Sequence, residues 1–189
     1  MEVPRGYKLK KVLMDGESMD RTLTRMVHEV LERSRGGEDL AFVGIRRRGD
    51  VLAARMAQKL EKVVGRQIPL GELDITLYRD DLSLLDFQPR VGKTEILFSI
   101  EGKRVVLVDD VIFTGRTIRA ALDALMDLGR PKSIQLAVLV DRGHRELPIQ
   151  PDYVGRVVPT SHSENVLVLL REVDGEDKVI LVEAEDAQW

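Results

Sequence analysis

The chain has 189 residues, 43% hydrophobic and 32% charged, with a net charge of −3 and no cysteine. That length suits one domain, or one domain with a small subdomain, and the missing cysteine excludes disulfides and thiolate metal sites. The sequence offers no apolar run of about 18 residues to span a membrane, and Met1-Glu2-Val3-Pro4-Arg5 lacks the apolar stretch of a signal peptide, so a cytoplasmic protein is expected. An aromatic content of 4% leaves few stacking platforms for single-stranded nucleic acid. The charge is uneven, however: residues 1–66 carry 15 Lys and Arg against 10 Asp and Glu, and residues 157–189 carry 2 against 8. A basic N-terminal third is compatible with a local anion-binding face and equally with a solvated charged surface.

From Ser18 to Arg33 the apolar residues Met19, Leu23, Met26, Val27, Val30 and Leu31 recur at helical spacing, with Ser18 as the expected N-cap and Arg35-Gly36-Gly37 as the stop. Ala41–Ile45 is a short apolar run that predicts a buried strand. It opens into the basic turn Arg46-Arg47-Arg48-Gly49, and a second helix follows with Val51, Leu52, Met56, Leu60, Val63 and Val64 inward. Leu70 to Tyr78 reads as a strand. The polar stretch from about Arg79 to Glu101, broken at Gln88-Pro89-Arg90, reads as a long functional loop. Arg104–Val108 predicts another buried strand, Gly115–Leu128 a helix stopped by Gly129 and Pro131, and Ile134–Val140 a further buried strand. Apolar strands alternating with helices imply parallel pairing and an α/β architecture: a mostly parallel central sheet flanked by helices. Val154–Val158, Val166–Leu170 and Val179–Val182 read as short strands, the last two forming a hairpin at Asp174-Gly175, and the whole tail near 150–183 is expected to form a small cap.

The stretch Val105-Val106-Leu107-Val108-Asp109-Asp110-Val111-Ile112-Phe113-Thr114-Gly115-Arg116-Thr117 carries the chemistry. A strand buried on both faces delivers two acids to its carboxyl end, where open α/β sheets bind ligands. A Thr-Gly-x-Thr turn then starts a helix, whose free N–H groups and dipole suit a phosphate. Two carboxylates beside it suit hydroxyls or Mg²⁺. The Gly-Lys-Ser/Thr ending of a Walker loop and the Gly-x-Gly-x-x-Gly dinucleotide fingerprint are both missing.

Over these thirteen residues the chain resembles the phosphoribosyl pyrophosphate (PRPP) motif of type I phosphoribosyltransferases. Asp74-Ile75-Thr76-Leu77-Tyr78-Arg79-Asp80-Asp81-Leu82, Asp141-Arg142-Gly143-His144-Arg145-Glu146-Leu147-Pro148 and Pro159-Thr160-Ser161 narrow the resemblance to the PyrR family of pyrimidine-operon attenuators and uracil phosphoribosyltransferases. The resemblance implies one type I phosphoribosyltransferase domain over residues 1–189, with a loop near 79–101 that closes over PRPP. The implied reaction converts uracil and PRPP to UMP and pyrophosphate. Asp109 and Asp110 would be the catalytic acids, holding the ribose hydroxyls directly or through Mg²⁺. Arg46, Arg47, Thr114, Gly115, Arg116 and Thr117 would bind PRPP or nucleotide, and Arg142 and Val166 the base.

The resemblance also implies a second activity. Arg21, Arg25, His28 and Glu32 fall on the first helix opposite its apolar stripe. In the resembled family this helix lies on a basic surface of the dimer that binds messenger RNA. Thr24, Arg25, His28 and Arg33 match it, with Arg145 and Arg156 as further candidates. The implied protein is a homodimer or higher homo-oligomer, without membrane partners, whose RNA binding depends on UMP and regulates pyrimidine genes. Three other readings stay open: a uracil phosphoribosyltransferase without RNA binding, an RNA regulator that keeps the PRPP site chiefly as a nucleotide sensor, and a purine or orotate phosphoribosyltransferase sharing only the PRPP loop.

Overall fold

A computed structural model describes residues 6–80 and 92–185. The chain runs β1 (Tyr7–Asp15), α1 (Gly16–Arg33), β2 (Leu40–Ile45), α2 (Gly49–Val64), β3 (Leu70–Leu73), a 3₁₀ turn (Thr76–Tyr78), β4 (Arg104–Ile112), α3 (Arg116–Leu128), β5 (Ser133–Asp141), β6 (Tyr153–Val157), β7 (Glu164–Leu169), α4 (Arg171–Asp174) and β8 (Lys178–Ala184).

The main sheet has the order β3-β2-β4-β5-β6, and every pairing in it is parallel. Successive side chains of a strand point to opposite faces, and here both faces are covered. Leu40, Phe42, Val106, Val108 and Leu139 meet α1 and α2 in one core. Val43, Ile45, Val105, Leu107 and Val138 meet α3 in another. Burial on both faces is why these strands read as continuous apolar runs. Helix α1 buries Met19, Leu23, Met26, Val27 and Val30, the stripe its spacing predicts.

Five local expectations need correction. Val63, expected inward on α2, is 51% exposed. Helix α1 starts at Gly16, and its N-cap is Asp15, whose carboxylate accepts the Ser18 N–H at 2.8 Å; Ser18 sits inside the first turn. The segment from Leu70 to Tyr78 is a strand only to Leu73, after which Asp74 accepts the Thr76 N–H at 2.7 Å and the chain coils into the 3₁₀ turn. The strand at Tyr153–Val157 is no part of the cap: β6 extends the main sheet alongside β5. The cap instead recruits β1, giving an antiparallel sheet of order β1-β8-β7. Its inner residues Val166, Val168 and Val179 join the α1–α2 core. The β7–β8 hairpin turns through α4 and Gly175, at φ +82°. Of the long loop, residues 81–91, with Asp81, Leu82 and Gln88-Pro89-Arg90, lie outside the described residues.

Candidate active site

Because β2, β4 and β5 are parallel, their carboxyl ends open at one edge of the sheet. β4 is longer than its apolar run. It continues through both acids to Ile112, still paired with β5, whereas its pairing with β2 ends at Gly44↔Val108. The two acids therefore stand where β2 has turned away, inside the fold rather than on a loop.

Asp109 is 5% exposed, and its Oδ1 accepts the Asp110 N–H at 2.9 Å; Asp110 accepts the Val111 N–H at 2.8 Å. Neither carboxylate forms an ion pair among the described residues. Burial, and then the charge of Asp110, push the Asp109 carboxyl well above the usual carboxylate range. Burial raises Asp110 as well, against the pull of the Arg48 guanidinium.

Arg46, Arg47 and Arg48 form the turn from β2 into α2, with a cis peptide between Arg46 and Arg47. Arg46 donates to Glu72, and Arg47 is exposed. Arg48, at φ +74°, is clamped to Asp174 of α4 by bonds of 2.7 and 3.2 Å. Gly49 follows because nothing larger fits: a Cβ there would lie 2.4 Å from the Val108 carbonyl oxygen and 3.1 Å from Cα of Asp109.

Gly115, at φ +94°, precedes α3 and has no side chain to cap it; Thr114 Oγ1 accepts the Arg116 N–H at 3.3 Å, and the next N–H groups of the first turn remain available. Thr114, Arg116 and Thr117 line a cavity of about 240 Å³ with Arg79 and Asp80. The Arg116 guanidinium reaches Asp80 at 2.6 Å and Glu146 at 2.7 Å. The Thr114 carbonyl accepts the N–H groups of Glu146 and Leu147, at 2.9 and 3.2 Å, tying this turn to the loop after β5.

The base-side candidates have a different character. Arg142, also 5% exposed, donates to Thr160 Oγ1 (3.3 Å), Asn165 Oδ1 (2.7 Å) and the carbonyls of Ser161 and Glu164, with its guanidinium 4.0 Å from the Phe113 ring centroid. Val166 buries its side chain in the core. Both side chains are thus committed to the fold, and so is the Arg142 backbone: its N–H donates to the Ile112 carbonyl at 3.2 Å and its carbonyl accepts from the Thr160 hydroxyl at 3.0 Å. His144, at φ +61°, places Nε2 2.6 Å from the Thr160 carbonyl and its ring 4.2 Å from that of His162.

The α1 candidates gather on one surface. Arg25 and His28 are exposed. Arg25 donates to the carbonyls of Val154 (3.1 Å) and Gly155 (2.6 Å), and Arg33 to that of Asp152 (3.2 Å), with its guanidinium 5.0 Å from the Tyr153 ring. Arg156, on β6, reaches back to the Leu13 carbonyl. Thr24 faces α2, where it accepts from Lys59 at 3.0 Å. Arg145 is drawn elsewhere: it pins the site loops through Asp141 (2.6 Å) and the carbonyls of Phe113 (3.0 Å) and Ile149 (2.9 Å).

The sequence reading did not single out Arg48, Phe113, His144 or Asn165 for roles in the site. The third arginine of the basic turn was the one available signal. Among the described residues no group of three His, Cys, Asp or Glu side chains could hold a metal alone, and no helix is long and apolar enough to cross a membrane.

Residues 13–169 match the phosphoribosyl transferase domain family. Proteins named bifunctional protein PyrR are similar along nearly the whole chain. That of Pelotomaculum thermopropionicum is 60% identical, over 92% of this chain and 96% of its own. That of Thermus thermophilus is 57% identical, over 95% and 99%. Among solved structures, a hypoxanthine phosphoribosyltransferase of Trypanosoma cruzi superposes with a TM-score of 0.70 at 18% identity, covering 94% of this chain and 98% of that one. One of Staphylococcus aureus gives 0.69 at 20%, covering 91% and 92%. At such identity these neighbours share the fold alone, and base choice is not carried over. The sheet order, the acid pair at the end of β4 and the whole-chain similarity together place the chain in the phosphoribosyltransferase family and, within it, in the PyrR family.

Proposed function

We propose that the protein is a uracil phosphoribosyltransferase that also regulates pyrimidine genes by binding messenger RNA. The observation that carries the enzymatic half is the pair of the buried Asp109 and the half-buried Asp110, without an ion pair among the described residues, beside an α3 N-terminus that Gly115 leaves without a cap of its own. Two desolvated carboxylates call for hydroxyls or a cation, and a bare helix start calls for a phosphate. PRPP supplies both ribose hydroxyls and a 5′-phosphate.

The reaction breaks the bond between ribose C1 and pyrophosphate while a uracil nitrogen bonds to C1. Positive charge grows on the ribose and negative charge on the leaving group. The α3 turn at Thr114–Thr117 holds the 5′-phosphate, Asp109 and Asp110 hold the ribose, and the Arg46–Arg47 turn faces the pyrophosphate. Mg²⁺ fits this donor set, since it binds one or two carboxylates together with substrate phosphates, and when bound it neutralises leaving-group charge. Uracil meets the backbone near Arg142 and Val166, while the loop near 79–101 excludes water. The enzyme acts in the cytoplasm as a homodimer or higher homo-oligomer.

For the regulatory half, Thr24, Arg25, His28, Arg33 and Arg156 form the RNA face on α1 and β6. UMP in the catalytic site favours the RNA-binding state, which requires unequal affinity of UMP for the two states. The first test is binding to a pyrimidine-operon leader RNA with and without UMP, alongside uracil turnover. A sequence-specific complex that tightens with UMP and weakens in Arg25→Ala or His28→Ala supports both halves. Turnover without such a complex leaves the plain enzyme.

A further inference from the structure

Helix α1 is a ridge with two flanks. Arg25 and Arg33 lean over β6, while Thr24, one residue before Arg25, leans toward α2. The α2 flank is built much like the first. Arg55, Lys59 and Lys62 follow one another at i, i+4 and i+7 and so share a face of α2. Together with Asp20, Gln58, Arg171, Glu172 and Asp177 they line a cavity of about 340 Å³ between the helix pair and the α4 turn.

The charges in this groove divide into two sets. Arg55 is a fixture, held between Glu172 and Asp177 (2.6 Å for the latter) and touching Met19 Sδ at 3.7 Å. Lys59 is a bridge: its ammonium lies 2.7 Å from Asp20 and 3.0 Å from the Thr24 hydroxyl. Lys62 and Arg171 are exposed and carry no ion pair among the described residues. Two cations are therefore available outright. A third is released by displacing Asp20, whose side chain is 67% exposed and costs little to move.

We infer that the α1–α2 groove is a second phosphate track for RNA, in which Lys59, Lys62 and Arg171 hold the backbone of a strand whose bases meet the α1 crest at His28. The inference rests on the RNA-binding reading above and extends its footprint to an element that reading does not use. Phosphodiester is the ligand chemistry because the groove offers exposed cationic side chains beside a hydroxyl and no aromatic lining residue. Contacts of this kind position a strand without reading its sequence. Asp20 is then a brake, since it neutralises Lys59 and repels phosphate.

The test is filter binding of the leader RNA, and of an unrelated RNA of equal length, between about 50 and 200 mM salt. Wild type is measured first, then Lys62→Gln, Lys59→Gln and Asp20→Asn, with the rate of UMP formation as the check on folding. Each lysine variant is expected to lower the salt slope by about one unit and to weaken both RNAs about threefold at the upper salt, with UMP formation unchanged. Asp20→Asn is expected to tighten both about twofold. Lysine variants with wild-type slope and affinity overturn the groove while leaving the α1 face standing. A wild type that binds no RNA overturns both.

Discussion

Asp109 and Arg142 are equally buried, each 5% exposed, at neighbouring strand ends of one sheet. Yet the fold treats them in opposite ways. Arg142 has an acceptor on every nitrogen of its guanidinium and an aromatic ring beneath it. Asp109 has one backbone N–H and, beside it, another carboxylate. The lesson is that a buried charge completed by the protein is part of the scaffold. One left incomplete marks where something else must arrive.

The comparison breaks most visibly in the enzyme's rate. Under the proposed function Asp109→Asn or Asp110→Asn would remove an interaction with substrate, so kcat/KM for PRPP should fall on the order of 10²–10³-fold, while the denaturation midpoint in urea stays level or rises. A variant that keeps wild-type turnover would return the pair to ordinary structure. Arg142→Met should do the reverse. It strands the acceptors at Thr160, Asn165, Ser161 and Glu164, and should cost about 3 kcal/mol in urea unfolding. A loss of uracil turnover at unchanged stability would instead make Arg142 a ligand contact.

The smallest effect sharpens the comparison through pH. Both acids bind protons more tightly folded than unfolded, because burial raises both and the charge of Asp110 raises Asp109 further. Their contribution to stability is therefore full at low pH. It declines as pH climbs from the ordinary carboxylate range through the raised values, at about 1.4 kcal/mol per unit of separation. Asp39, Asp74, Asp174 and Asp177 are held low and act with the opposite sign, so the readout is a difference. The Tm gain of Asp109→Asn over wild type, without ligand, should grow between about pH 4 and 8. A gain that is flat with pH contradicts the raised acids.

Much of this was written locally. The Val105–Val108 run, the acids after it and the Thr-Gly-x-Thr turn are neighbours in sequence, so one short window held strand, ligand edge and helix start together. The apolar stripe of α1 was legible for the same reason. β1 was not, because it lies on a sheet edge: most of Tyr7–Asp15 is solvated, and its lysines break up the apolar pattern of a strand. β6 was legible as a strand but not as a neighbour of β5, since pairing is decided by the chain that comes back and not by the strand's own residues. The cap of α1 was misplaced because Asp15 and Ser18 are both cap-type residues, and only geometry shows which one accepts from the other. Among the three arginines of the basic turn, the one clamped to Asp174 was set by a backbone angle that the letters do not display. Whether a side chain faces substrate or is consumed by the fold, as with Arg142 and Arg145, depends on acceptors far along the chain.

Gly49 touches the backbone of β4 where a single methyl group would collide with it. The arginine turn and the acid pair are thus brought close by one missing carbon, and that contact works as a gauge. It fixes the span between the place where a leaving group's charge would collect and the place where the sugar would be gripped. Under the proposed function, a ligand of another length would touch either end without satisfying both, and the clearance would select the donor substrate alongside the functional groups.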